Sequence, residues 1–367
     1  MSNTITSKDG RRKVRWVIAH FPVELFIRTA KAFSEQIEKL CPGQFDIEII
    51  TCGEYFKKYS DLYTKEQLAV LNSTTPYIPG LENPLRTARS GTHPANEIKP
   101  VSTFIEIKDK WKLFFESMRD GKFEMSQTQV NIVGHHLYKP YHAIDLPYIW
   151  NNHDHVAQAL DGEIGKNLGN AVGDATGVRG MAFTYSGGYR IIGSTDGITS
   201  LNDLAGKKFI TQTATSHLLF GQTGIDHMTR GQSTLTDLVD MSENGGAIET
   251  TYLRFEGKNI LKTNHSMFMT AVLASDAFLN TLTDHQRKSW EAVSNKVSKS
   301  ERLWSVEDAQ KYENSAKERG ITIVEASDED KQRLRDAAQL VYKSENLEKF
   351  GIDSALVDQI INMGKTQ

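Results

Sequence analysis

GMAFTYSGGYRIIGSTDGITSLNDLAGKKFITQT, residues 180 to 213, is the stretch that decides the fold. Met181 to Tyr185 is an apolar, β-rich run, and Tyr189, Arg190, Ile191 and Ile192 resume a strand after Gly187 and Gly188 loosen the backbone. A short helical turn follows, in which Ser200 and Asp203 have capping-box spacing. Gly206 sits where a helical turn stops. Lys207 to Thr211 then reads as another strand, with Thr211, Gln212 and Thr213 offering hydroxyl and amide groups behind it. One strand delivering an arginine and a second ending in small polar groups would form a wall of a ligand cleft. An ordinary βαβ corner with a surface arginine reads from the same residues.

Outward from this stretch the pattern stays α/β. Val14 to Ala19 is a short β-type run ended by His20, Phe21 and Pro22. Phe26, Ala30, Phe33, Ile37 and Leu40 recur at steps of three and four, one face of an amphipathic helix. FDIEII follows as a second strand, and strand, helix, strand opens a parallel α/β unit. Lys108 to Met118 reads as a helix, and FEMSQTQVNIV, from Phe123, as a strand. Val156, Leu160, Ile164 and Leu168 at steps of four predict one helix. TLTDLVDMSENGGAIET, from Thr234, reads as another. Met267 to Leu273 is a strand, and Thr283 with Gln286 caps a long helix carrying Trp290, Val293, Val297, Trp304 and Tyr312. ITIVEA gives a late strand, and Ser327 caps a last helix. Five of the nine prolines fall between Pro76 and Pro100, so residues 55 to 106 read as an insertion, with a linker as the alternative.

Composition excludes several classes. At 367 residues the chain exceeds one typical core and implies two domains. A net charge of −3 leaves no electrostatic footprint for nucleic acid. No apolar run approaches the length that spans a bilayer. The opening MSNTITSKDGRRKVRW has basic residues with no apolar core behind them, so no signal peptide is visible there. The two cysteines, Cys41 and Cys52, flank a strand and are expected to lie too far apart to pair. His135, His136, His142, His153 and His155 could bind zinc, yet no His-Glu-x-x-His helix and no cysteine accompanies them. Cleft and surface hydrogen bonding is the expected role. A P-loop, a dinucleotide fingerprint and a nucleophile elbow are all lacking, so no cofactor and no enzyme activity are expected.

From about Ile107 to Gly351 the order of features resembles the solute-binding proteins of tripartite ATP-independent periplasmic (TRAP) transporters. DLPYIW with HDHVAQALDGEIG, then GVRGMAFTYSGGYRIIGSTDGITSLNDLAGKKF, then GGAIE ending at Glu249 carry the resemblance. The strand at Met267, TLTDHQRKSW and GITIVEAS complete it.

The resemblance implies an α/β, two-domain, periplasmic-binding-protein-like fold with hinge strands and a long interdomain helix. Domain I is expected over 1–187 plus 269–308, carrying the insertion, and domain II over 188–268 plus 309–367. It implies capture of a small organic solute, an organic acid or related compound, between the domains for TRAP membrane subunits in the periplasm. A sensing protein on the same scaffold, possibly cytoplasmic, is the alternative.

The resemblance also places Arg190 in the cleft. The family's second arginine position, its main grip on a carboxylate, is Ile210 here. Its cleft asparagine position is Thr250, and a carboxylate or amide position is Gln129. The expected ligand-contacting set is His20, Gln129, Tyr185, Arg190, Ile210, Gln212, Thr213, Glu249 and Thr250, with no metal. Pairing of Arg190 with an acidic neighbour such as Glu249 is the alternative. Ile210 favours a less acidic ligand, neutral or zwitterionic, held by hydroxyls, amides and aromatic faces. In the other solution Arg190, or a shifted residue such as Arg230, takes the anion.

Overall fold

The computed structural model describes residues 6–7, 9–20, 23–72, 102–194, 197–205, 207, 209–211, 213–223, 228–229, 238–242 and 259–365. Its strands, in chain order, are β1 (Arg12–Ile18), β2 (Phe45–Thr51), β3 (Met125–Gln129), β4 (Val178–Ser194) and β5 (Phe209–Thr211). They continue as β6 (Met228–Thr229), β7 (Leu238–Ser242), β8 (Asn259–Lys262), β9 (Met267–Ser275) and β10 (Thr322–Glu325).

β1 and β2 run parallel, with the helix Val23–Leu40 as their crossover. β3 joins β1 in parallel, and β9 joins β3 antiparallel. The strand order β2-β1-β3-β9-β4-β7-β5-β6 turns on β4. Its first part, Val178 to Tyr189, pairs with β9, and its last part, Arg190 to Ser194, pairs with β7 and in part β8. The partner changes at a register irregularity between Tyr185 and Tyr189. There Gly187 and Gly188 have φ of 100° and 107°, backbone that residues with a Cβ avoid. The second stretch of chain between the sheets, β8 to β9, runs alongside, and Arg190 N–H donates to Ser266 O at 2.8 Å.

The faces of the first sheet bury different cores. Val14, Trp16, Ile18, Met125, Val272 and Ala274 pack against the helices Val23–Leu40 and Asp284–Glu318. Phe33, Phe45 and Phe278 meet Trp290 there at ring-centroid separations of 4.9 to 5.2 Å. The opposite face, with Val17, Phe183, Tyr185, Ala271 and Leu273, belongs to the larger core. Across 109 residues of sequence, Arg15 holds Glu124 by its backbone N–H at 2.7 Å and by Nε at 2.9 Å, a buried charge pair with its hydrogen bonds made.

The 35-residue helix Asp284–Glu318 closes the free edge of β4. In the stretch before β7 takes over, that edge would leave its peptide groups without ladder partners. Arg302 Nη1 donates to Phe183 O at 2.7 Å, Tyr185 N–H donates to Glu301 Oε2 at 2.9 Å, and Gly187 N–H donates to Ser305 Oγ at 2.7 Å. Three residues within two turns of helix thus replace a strand. The capping box at Thr283 and Gln286, the cap at Ser327 and the box at Ser200 and Asp203 all form.

Three expected elements differ. The strand expected over 123–133 ends at Gln129, and Val130–His136 is a helix that buries Val130, Val133 and Gly134 on one side. Its short apolar run has helical spacing as well as β-branching. The helix expected over 156–168 is two helices, His153–Leu160 and Glu163–Thr176. A Cβ at Gly165 would meet Leu160 O at 2.0 Å, so the tight joint between them requires glycine. The helix expected from Thr234 contains β7, which is wedged between β4 and β5. Pairing on both sides overrides a local helical pattern.

Cys41 and Cys52 are free and buried. Among the described residues no three His, Cys, Asp or Glu side chains are grouped to hold a metal ion. Among them, too, no helix is long and apolar enough to cross a membrane. The C-terminal helices Ser344–Phe350 and Ser354–Gly364 pack against residues 139–160, where His155 Nε2 meets Ile360 O at 2.8 Å.

Candidate ligand-binding site

His20 follows β1, and Gln129 ends β3. These two parallel strands therefore present both residues at their carboxyl ends, where open α/β sheets bind ligands. His20 Nδ1 and Gln129 Nε2 are 2.7 Å apart. The imidazole stacks on Phe268 at 5.3 Å, and Phe26 flanks it at the same separation. The Arg190 guanidinium carbon lies 4.3 Å from the centroid of that same Phe268 ring. Two residues from separate segments, His20 and Arg190, thus share one aromatic ring. Arg190 is only 1 % exposed, a depth at which a guanidinium is costly without anionic or polar company. Burial, with the charge of Arg190 added, pushes the His20 imidazole down to about 3, so it is neutral at pH 7.

Beside this cluster runs a polar seam. Gln127 Nε2 donates to Thr184 Oγ1 at 2.9 Å, and Thr184 and Thr270 share a hydrogen bond at 2.6 Å. Gln127 also lies against the Glu301 carboxyl, whose acidity burial shifts up to about 8. Among the described residues, Oε1 of Glu301 and Oε1 of Gln127 are both buried without a hydrogen-bond partner. Burial favours the protonated, neutral form of this carboxyl. The seam beside the His20–Arg190 cluster is therefore backed by an acid on the long helix that burial favours in its neutral form.

The expected ligand contacts separate into three groups. His20, Gln129 and Arg190 come together. Tyr185 turns away from them: its side chain joins the larger core, and its hydroxyl meets His153 Nδ1 at 3.2 Å. The Thr213 hydroxyl caps the helix Ala214–Gly221, accepting from Ser216 N–H at 3.1 Å. Of Ile210 and Thr211 only the backbone in β5 is described. Gly206, Gln212, Arg230, Glu249, Thr250 and most of the insertion, residues 73 to 101, lie outside the described residues.

Phe268, Phe26, Glu301 and Ser305 were not anticipated. Phe268 alternates with buried Met267 and Met269 in a wholly buried strand, so hydrophobicity alone gave it no distinction. A carboxylate and a serine four residues apart on the inner side of a helix were the available signal for the other pair. A separate pocket of about 240 Å³ lies against Tyr189, Ile191, Asn264 and Tyr312. It opens on the face of β4 opposite to Arg190, because alternate residues of a strand point to opposite faces.

Residues 110–349 match the model of bacterial extracellular solute-binding protein, family 7. The chain belongs to that family. No curated protein matches it. A TRAP periplasmic solute-binding protein from Ochrobactrum anthropi, with its C-terminus bound in the ligand-binding pocket, superposes with a TM-score of 0.69. The two are 19% identical, and the match covers 96% of this chain and 95% of that one. One from Xanthobacter autotrophicus with bound β-D-galacturonate gives 0.67 at 16% identity, covering 96% and 100%. The sugar acid binding protein of Advenella mimigardefordensis, in complex with galactonate, gives 0.68 at 16% identity, covering 97% and 98%. The family and the likeness of fold both agree with the TRAP resemblance read from residues 107 to 351.

Proposed function

We propose that this solute-binding protein captures a small organic acid at the cluster of His20, Gln129, Arg190 and Phe268. It then delivers the acid to the membrane subunits of a TRAP transporter on the outer side of the cytoplasmic membrane. The observation that carries this reading is the buried Arg190 guanidinium laid on Phe268 beside two strand ends. A guanidinium fork matches a carboxylate in geometry and charge. Organic acids occupy the related proteins from Xanthobacter, with galacturonate, and from Shewanella oneidensis, with succinate. The anion is thus assigned to Arg190, and a neutral solute is the less supported solution.

The division into 1–187 plus 269–308 and 188–268 plus 309–367 is part of the same proposal. The change of partner along β4 at Gly187 and Gly188 supports a hinge there. Closure around the solute is then a bend of few residues. The protein acts as a carrier and leaves its solute chemically unchanged. Mass spectrometry of the molecule released from natively purified protein tests the reading. A small carboxylic acid is expected, and a solute with no acidic group would overturn it.

A further inference from the structure

We propose that His20 reads a hydroxyl group of the solute, so that the protein selects hydroxylated organic acids over their deoxy counterparts. This rests on the assignment of the carboxylate to Arg190.

His20 is 4 % exposed. Its Nδ1 faces Gln129 Nε2 at 2.7 Å, and its Nε2 is buried with no hydrogen-bond partner among the described residues. The rings on either side, Phe26 and Phe268, offer neither a lone pair nor a polar hydrogen. A buried polar atom without a partner is costly, and a native fold that retains one needs a reason. The place of this one supplies the reason. It shares the Phe268 ring with Arg190, at the carboxyl end of β1.

The imidazole is neutral here, so it adds no second positive charge for a second carboxylate. Arg190 supplies the charge, and His20 supplies one directed hydrogen bond. Because Gln129 donates to Nδ1, the ring proton sits on Nε2 and points to an acceptor on the solute. If the Gln129 amide were turned over, Nδ1 would donate and Nε2 would accept instead. A hydroxyl satisfies either arrangement, since it both donates and accepts. A methylene satisfies neither, and leaves the imidazole nitrogen stranded in the closed complex. Sites built around a substrate hydroxyl reject analogues that lack it for this reason.

The test is calorimetric titration of gluconate against hexanoate, and of glycerate against propionate, into the wild type, His20→Phe, His20→Gln and Arg190→Ala. The wild type is expected to bind at least one hydroxy acid about tenfold or more tighter than its deoxy partner. His20→Phe should erase that ratio by weakening the hydroxy acid more than the deoxy acid. His20→Gln, which keeps a side-chain N–H, should restore part of the ratio and serves also if the Phe variant fails to fold. Equal binding of hydroxy and deoxy acids by the wild type overturns the inference. So does a ratio that survives in both His20 variants, even when Arg190→Ala abolishes binding of every acid. Failure of the wild type to bind any of these acids, together with a natively released solute lacking an acidic group, overturns the carboxylate reading itself.

Discussion

Glu301 accepts the backbone N–H of Tyr185 at 2.9 Å, wholly buried at the point where β4 passes from one sheet toward the next. Its other oxygen has no hydrogen-bond partner among the described residues, and burial pushes its pKa up to about 8. The folded protein therefore holds a proton on Glu301 that the unfolded chain, with a carboxyl near 4.5, releases at neutral pH. The native state binds more protons between these two values, so this group's contribution to stability falls as pH rises from about 4.5 to about 8. Glutamine copies the protonated form. Glu301→Gln should flatten that part of the stability profile and raise the melting temperature at pH 8 relative to the wild type. Urea titrations from pH 5 to 9 measure it, and parallel profiles for the two proteins would contradict the assignment.

Gly188, at φ 107°, should not tolerate a side chain. Gly188→Ala is expected to cost about 1–3 kcal/mol in urea unfolding, the usual strain of a residue forced into such backbone. An alanine variant as stable as the wild type would mean that the crossing strand relaxes there without cost.

Much of the architecture was legible because local rules and tertiary structure agree. The helix from Val23 shows its apolar face at steps of three and four, and the caps at Thr283 and Ser327 form as their side chains predict. The expectation that Arg190 and Gln129 line a cleft came from their place in strands and the family resemblance, and the structure brings both against His20 or the Phe268 ring beside it. What joins them was not legible. His20 and Gln129 are 109 residues apart in sequence, and only the parallel pairing of β1 with β3 brings them together. Phe268 is one apolar residue in a run of them, and nothing in that run marks it as the shared platform. β7 was misread because its strand character comes from the neighbours on both sides, which a linear pattern does not contain.

The crossing at Gly187 and Gly188 makes a further expectation for the molecule in solution. If the sheets bend about this crossing, saturating solute should reduce the radius of gyration in small-angle scattering. A scattering profile unchanged by saturating solute would contradict hinge closure.

Calorimetric titration of galacturonate, galactonate, succinate and glycerate into the wild type and Arg190→Ala tests the central claim most directly. At least one acid should bind the wild type, and removal of the guanidinium should weaken it roughly ten- to a hundredfold, the range expected for a charge-assisted hydrogen bond. Circular dichroism of the variant should match the wild type. Unchanged affinity in a correctly folded Arg190→Ala protein would contradict the account.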